Sequence, residues 1–546
     1  MSTRSANDRA VLLQLARAHR MQLHPAAVKS IVKFLERYDA ADHGEVVTQL
    51  LTVADCGANR LLDAAAAEVA MQRVADPTTA GGGPGGAMSG PLVQVVHEAP
   101  TLIVDALHGT VNPRTGPPPA ASVVSTSVAT PKAPPARHTL SDIRRQAVAL
   151  AHLRESAHTN LTRLLALEGQ PVGSTQRIVG FLRGFAAKPS SPNNSNSHDA
   201  EDADAQPSIV VTLEDADAAV DVALASANAA GLPPGIISKN TVVVATGTWT
   251  GKRLDGASLR VPTAVSRSWT DAQLGARNFF GGKPSTQSCD TAAVCIFSDV
   301  RIDAANPRGF DTLRSVLSTL EGQADQLDLN ALVVVLCGTF RAPTEVADPS
   351  VLDVSPSRPI AAAFAALGQA IASSAPRVCA AATFVLVPGP GDLTADCGNG
   401  LPSRRLSASV TKGLTNVVPK AQFAGNPCRI RVGDKELLIV RGELLKRFQR
   451  DAMVEADPAR PEFEHLVATV AGQGCLFPMH DTTNAVDAAR LGCFPLPHYV
   501  CLADSTPLWE ADVHGTKFFN PGSFNVNHTF AWCNVSEGDV EINSAS

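Results

Sequence analysis

Residues Phe384 to Leu393 read FVLVPGPGDL, and this stretch decides how the C-terminal half is read. Four apolar residues in a row, with no alternation, describe a strand buried on both faces, the pattern of a parallel sheet covered by helices. The Pro-Gly-Pro-Gly turn that follows ends it sharply. In open α/β sheets, ligands gather on the loops at the carboxyl ends of the strands, so the turn is where chemistry would sit. Pro390 and Gly391 offer no side-chain ligand there, and Asp392 does.

Working outward, the same grammar repeats. AAVCIFSD is a strand and GFDTLRSVLSTLEG a helix; ALVVVLCG is a strand and IAAAFAALGQAIASS a helix; TFVLVPG closes the run. Alternation of this kind implies parallel neighbours with helices on the sheet's faces. KELLIVRG, HYVCLAD and NHTFAWCN are expected to close a second half. Upstream, QRIVGFLRGF, SIVVTLED, AAVDVAL, TVVVATGTWTG and ASLRVP are short β runs spaced by turns. Five such strands predict a small barrel of the oligonucleotide/oligosaccharide-binding (OB-fold) type. A helix with Ser141 as N-cap precedes it.

The N-terminal residues, with VLLQLARA, AAVKSIVKFLERY, EVVTQLLTVA and NRLLDAAAAEVAMQRVA, carry apolar residues at helical spacing, and Pro25 suits a first helical position after His24. The expected organisation is multidomain α/β: a helical domain at 1–75, a flexible Gly/Pro-rich linker at 76–137 with a short ordered island (LVQVVHEAPTLIVDAL), a helix plus barrel at 138–282 with a disordered acidic loop at 188–208, and an α/β sandwich at 283–546.

Composition narrows the function. The chain has 546 residues, is 45% hydrophobic and 18% charged, and carries a net charge of −6. No global basic field recruits nucleic acid, and no apolar run is long enough to cross a membrane. The opening MSTRSANDRAVLLQLARAHR lacks the order of a secretory signal, so a cytosolic or nuclear protein is expected. Of eleven cysteines, ten fall at or after Cys289, with no C-x-x-C and no zinc-finger spacing; buried, reduced thiols are expected.

A two-metal phosphoesterase needs Asp, His and Asn at successive strand ends, in the order D-x-H, G-D, G-N-H-D/E and two later His-bearing turns, to hold two cations about 3.5–4 Å apart. The frame is present without the ligands. FSDVRID keeps Asp299 with Arg301 in the His position; LCGTF keeps Gly338 with Thr339 in the Asp position; VPGPGD keeps Asp392 beside Pro390 and Gly391. CLADSTPLW has no His. No histidine lies between His198 and His465, which leaves His465, His480, His498, His514 and His528. An ion pair between Asp299 and Arg301 is expected, since a fixed guanidinium competes with a cation.

Together with NFFGG (Asn278 to Gly282), NPCRI (Asn426 to Ile430), VAGQGCLFP and NPGSF (Asn520 to Phe524), these motifs resemble, in their order and spacing, the B subunits of the eukaryotic replicative DNA polymerases, and within them the epsilon branch. The resemblance covers roughly 140–535 and, more loosely, the N-terminal helices. Where that family often has a His, Cys475 stands. The resemblance implies an OB-fold barrel joined to an inactivated calcineurin-like phosphoesterase domain, with no catalytic residues, no metal and no cofactor. Asn426, Pro427, Asn520, Pro521, Gly522, Ser523 and Phe524 would then be structural motif positions. It implies a nuclear accessory subunit that grips the C-terminal domain of the polymerase epsilon catalytic subunit. The N-terminal helices would reach the replicative helicase assembly through GINS, with small histone-fold subunits as further partners and only weak or indirect DNA contact. The alternatives are the corresponding accessory subunit of polymerase alpha or delta, an active metallophosphoesterase or nuclease, or a free-standing nucleic-acid-binding module. Single-strand binding by the barrel would need a basic groove with stacking aromatics; Phe181, Phe185 and Trp249 are the aromatics in its strands, beside Arg177, Arg183, Lys252 and Arg253. Phe181 and Phe185 are expected to fill the barrel core.

Overall fold

The computed structural model describes residues 12–13, 16, 22–35, 47, 61–62, 67, 71, 92–96, 101–105, 110–114, 140–156, 160–185, 209–215, 217–225, 233–274, 278–281, 290–302, 307–340, 357–392, 394, 401–454, 456–476 and 490–545. The acidic stretch 188–208, most of the expected linker, Gly282 and His480 lie outside them. The chain divides into two units, Met1–Gly90 and Pro91–Ser546.

In the first unit, strands β1 (Gln22–Leu23) and β2 (Leu61–Leu62) pair in parallel. Helix Pro25–Leu35 follows β1, and His24 Nδ1 accepts the Ala26 amide at 3.3 Å, meeting one orphan donor of the first turn. Ala27, Ile31, Phe34 and Leu35 bury one face of this helix with Leu12, Val47 and Ala67.

In the second unit, β3 (Val93–Val96) comes first, followed by a hairpin of β4 (Thr101–Asp105) and β5 (Thr110–Arg114). Five strands then close a barrel in the order β10-β11-β8-β7-β6: β6 (Thr175–Phe185), β7 (Val210–Glu214), β8 (Ala219–Leu224), β10 (Val242–Trp249) and β11 (Arg253–Arg260), with β9 (Ile237–Ser238) between β8 and β10 in sequence. Ile178, Leu182, Val211, Leu213, Val222, Val243, Leu254 and Trp249 fill it. Phe181 does not, contrary to the expectation from sequence. The pleat turns it outward with Val179, Val242 and Val244, and helix Leu140–Ser156 covers all four through Val148 and Ala151. The side chain of Phe185 lies outside the described ones.

The sandwich consists of two six-stranded sheets. The first runs β15-β14-β13-β12-β22-β23, built from β12 (Ala293–Val300), β13 (Leu332–Gly338), β14 (Thr383–Val387), β15 (Ala421–Phe423), β22 (Thr529–Asn534) and β23 (Asp539–Ser544). The second runs β20-β21-β19-β17-β16-β3, built from β16 (Cys428–Val432), β17 (Lys435–Arg441), β19 (Tyr499–Ala503), β20 (Trp509–Val513), β21 (Thr516–Asn520) and β3. β12, β13, β14 and β15 are parallel, as are β17, β19 and β21. Ile296, Val333, Val335, Val385 and Val387 face Ile430, Ile439, Cys501 and Phe519 across the seam. Helices Pro307–Gly322, Ser357–Ser374, Pro376–Ala381 and Ala408–Thr415 cover the outer face of the first sheet, and Leu444–Arg450 and Glu462–Gln473 that of the second. One expectation is corrected: TFAWCN does not join the second half but runs antiparallel to β12 in the first sheet. Val93–Val96, read from sequence as part of a linker island, is the edge strand of the second sheet.

Barrel and sandwich meet along helix Glu462–Gln473. His465, Thr469 and Gln473, four residues apart, present a polar stripe to the chain entering β10. His465 Nδ1 accepts the Gly235 amide at 3.0 Å, Thr469 Oγ1 that of Ile236 at 2.7 Å, and Gln473 Oε1 that of Val242 at 2.9 Å. Strand β9 pairs with β18 (Ala452–Val454) beside them. The fully buried Arg154 guanidinium donates to the carbonyls of Ala471 and Gly472 at the C-terminus of the same helix, where the dipole favours a cation. Its pKa is lowered to about 10, because burial outweighs the opposing charge of Glu155.

Candidate functional site

The parallel strands of both sheets deliver their carboxyl ends to one place. Asp299 is the penultimate residue of β12 with φ of 56°, a left-handed conformation that non-glycine residues rarely adopt. It is buried, and its main partner is not Arg301. Arg441, at the end of β17, donates from Nη2 to Asp299 Oδ1 at 3.0 Å, while Arg301 Nη2 stands 3.8 Å from Oδ2. The expected pair therefore exists, as the looser of two. Ser523 Oγ donates to Asp299 Oδ2 at 2.8 Å.

Arg441 reaches further. Its Nε donates to the Gly338 carbonyl at 2.5 Å, Nη2 to Thr339 Oγ1 at 3.3 Å, and Nη1 to the Ala503 carbonyl at 3.4 Å and Glu443 Oε1 at 3.5 Å. The ends of β12, β13 and β19 are thus joined to β17 by one side chain. Burial pushes the Glu443 carboxyl up, but hydrogen bonds from Ser505 and Lys446 and the charge of Arg441 outweigh it and hold it below the usual range. Burial pushes the Cys337 thiol, at the end of β13, up to about 12.

The PGPGD turn is built for close approach. A Cβ at Gly389 would stand 2.5 Å from the Gly338 oxygen, and one at Gly338 would collide with the Asp392 carboxylate and come within 2.6 Å of Phe340 Cδ2. Asp392 is buried and accepts the Gly389 amide at 2.8 Å. Gly391 has φ of 86°, which a side chain would strain. Pro390 precedes it at the turn's tip. Asn426 ties the turn to the second sheet, donating to the Pro388 carbonyl at 2.9 Å and the Arg441 carbonyl at 2.6 Å and accepting the Arg441 amide at 3.1 Å. Pro427 follows it through a cis peptide.

The NPGSF motif carries the chain from β21 in one sheet to β22 in the other. Asn520 Nδ2 donates to Asp504 Oδ1 at 2.8 Å, and its Oδ1 accepts the Gly522 amide at 3.1 Å. Pro521 leads into Gly522, whose φ is 76°. Phe524 packs edge-on against Phe297 at 5.0 Å. Asp504 follows β19 where a phosphoesterase frame would carry a histidine turn. Burial raises its pKa, against hydrogen bonds from the Thr506 hydroxyl and amide.

The two cations that a phosphoesterase frame would need do not fit these side chains. Asp299 and Thr339, which stand where the first two ligands were expected from sequence, are both held by the Arg441 guanidinium, a fixed positive charge with no lone pair to offer. Among the described residues no group of three or more His, Cys, Asp and Glu is placed to hold a metal ion. The remaining histidines sit elsewhere. His465 bridges Gly235 and the Asp457 carbonyl; His498 accepts the Glu436 amide at 3.1 Å; His514 and His528 occupy left-handed turn positions. All eight described cysteines are buried.

Among the described side chains, the barrel's candidate aromatics present no exposed stacking face. Phe181 and Trp249 are buried, Arg183 pairs with Glu214 and Arg253 with Asp255, and Arg177 bonds Thr246. Lys252 is exposed. No described helix is long and apolar enough to cross a membrane.

A closed five-stranded barrel joined to a sandwich of two six-stranded sheets defines the architecture. Residues 294–509 match the family model of the DNA polymerase alpha/epsilon B subunit. The chain is 27% identical over 354 residues to the DNA polymerase epsilon B subunit of Arabidopsis thaliana, covering 61% of this chain and 63% of that one. It is 26% identical over 314 residues to DNA polymerase epsilon subunit 2 of Drosophila melanogaster, covering 55% of each. Against the DNA polymerase epsilon B subunit of Schizosaccharomyces pombe the figures are 28% over 273 residues, 46% and 43%. The chain thus spans 43–63% of the length of these relatives. An archaeal phosphodiesterase structure aligns at 10% identity with a TM-score of 0.24, covering 46% of this chain and 98% of that one; the sandwich assignment rests on the strand order above.

Proposed function

We propose that this chain is a non-catalytic accessory subunit of a nuclear DNA polymerase of the epsilon type. In this reading, barrel and sandwich form the platform that holds the C-terminal domain of the catalytic subunit, and the N-terminal helices tether the polymerase to the replicative helicase assembly through GINS. Tethering raises the effective concentration of polymerase at its template without any chemistry of its own. The observation that carries the reading is a conjunction: the family match at 294–509, and a strand-end cluster in which Arg441 holds Asp299 where hydrolytic relatives would place cations. The relatives' names favour epsilon; the family description also admits alpha.

Affinity purification of the tagged protein from its own cells, with mass spectrometry of what accompanies it, tests the proposal. Near-equal recovery of an epsilon catalytic subunit supports it. An alpha or delta catalytic subunit keeps the accessory role and moves it to another complex. No polymerase at all, together with Mn²⁺-dependent release of product from a simple phosphodiester, refutes it.

A further inference from the structure

Arg441 is more than a neighbour of Asp299. Its side chain is 4% exposed and lies among five oxygen acceptors: the carboxylates of Asp299 and Glu443, the carbonyls of Gly338 and Ala503, and the hydroxyl of Thr339. An all-oxygen set of carboxylates, carbonyls and a hydroxyl is the shell that hard divalent cations take. All five acceptors come from the strand ends and the loops leaving them, from both sheets. A guanidinium presents five donors in a rigid plane and never loses its charge, so one side chain can meet such a shell permanently.

We propose that the Arg441 guanidinium is the resident cation of the strand-end cluster. It takes the structural place of a divalent ion, neutralises Asp299, and draws the ends of β12, β13, β17 and β19 together without metal. Arg301, at 3.8 Å from Asp299 and partly exposed, is the peripheral charge. The inference does not depend on which polymerase complex the chain joins, because it rests on the internal geometry of the sandwich. It predicts that the protein is indifferent to metal and that the vacancy left by truncating Arg441 accepts a small cation of the same shape.

The test uses the full chain. Melting temperature is measured for the wild type and Arg441→Ala with EDTA, with Mn²⁺, and with low-millimolar guanidinium chloride against sodium chloride at equal ionic strength. Mn²⁺ binding to the wild type is followed by electron paramagnetic resonance. The expected result is a wild type that binds no Mn²⁺ at this site and melts alike with and without EDTA. Arg441→Ala should melt several degrees lower and recover at least half of the loss in guanidinium but not in sodium chloride. Stoichiometric Mn²⁺ binding to the wild type that Asp299→Asn abolishes would overturn the proposal, and this arm stands even if Arg441→Ala does not fold. Equal effects of guanidinium and sodium on Arg441→Ala, or a variant that melts like the wild type, would overturn it as well.

Discussion

Gln473 offers the sharpest test of how barrel and sandwich are joined. Its side-chain amide lies on Val242, accepting the amide at 2.9 Å and donating to the carbonyl at 2.7 Å, so it acts as one residue of a missing strand. The strand is missing because β11 pairs with β10 only from Val244 onward, while β6 occupies the other edge. Gln473→Met keeps the volume and strips both partners from backbone groups that water cannot reach. Each of the two orphaned groups costs about 1–3 kcal/mol, so the loss should be about 2–6 kcal/mol. Urea denaturation, with hydrogen exchange of the Val242 amide as the local probe, measures it. Gln473→Glu makes a second demand. Protonated, the introduced carboxyl can accept from the Val242 amide and donate to its carbonyl, as the glutamine does; ionised, it is buried and opposes that carbonyl. Its folded pKa must therefore rise above the ordinary value of about 4.3. A raised folded pKa contributes stability that is present below about pH 4.3 and lost as pH climbs through the folded value. The gap between Gln473→Glu and wild type should widen from pH 4.5 to pH 7. A loss below about 0.5 kcal/mol for Gln473→Met, typical of an ordinary surface change, or a gap that is flat in pH, would refute the reasoning.

Three further outcomes are expected. Gly338→Ala should cost about 1–3 kcal/mol by overpacking against Asp392 and Phe340, and in an Asp392→Ala background calorimetry should find that cost reduced but not abolished, because Phe340 remains. His498 is held neutral, its pKa lowered to about 4 by burial and by the charge of Arg267, so its contribution is complete above about pH 6.5 and is lost as pH falls toward 4. The slope is at most about 1.4 kcal/mol per pH unit, and His498→Gln should remove it from the acid limb of an unfolding series. Phe181→Ala should destabilise the chain by about 3–5 kcal/mol by uncovering helix Leu140–Ser156, while leaving its affinity for single-stranded oligonucleotide unchanged in a fluorescence titration.

The barrel was legible because its strands are short, turn-bounded and alternating, and β12, β13 and β14 because an unbroken apolar run flanked by helical patterns has few other readings. What sequence could not give was direction and partner. Phe181 alternates correctly, yet alternation does not say which face of β6 meets the barrel interior and which meets a helix. TFAWCN reads as a strand, but only the sheet-to-sheet crossing at NPGSF places it beside β12. The stripe His465, Thr469, Gln473 was visible at four-residue spacing, and such a stripe ordinarily faces water. Here it is buried because the chain entering β10 arrives with unpaired amides. Arg441 was visible too, as the charge ending KELLIVRG. The chosen partner of Asp299 was its sequence neighbour Arg301, whereas the structure favours the residue brought in from the facing sheet.

The outline of the PGPGD turn is set by packing and hydrogen bonding. Gly389 is needed because β13 and β14 run side by side and their exits nearly touch: the Gly338 oxygen occupies the space a Cβ would take. Asp392 is needed because its carboxylate folds back on the Gly389 amide and leaves no room at Gly338 for a side chain. Neither requirement involves a metal. The same Gly338 oxygen is also the acceptor for Arg441 Nε. A bulkier residue at 389 would therefore push on the carbonyl that anchors the guanidinium, and through it on Asp299. Turn shape and charge balance are coupled through one atom, so substitutions that relax the turn should loosen the Asp299–Arg441 pair. Pro390, at the turn's tip and outside every one of these contacts, is the position where change should be tolerated.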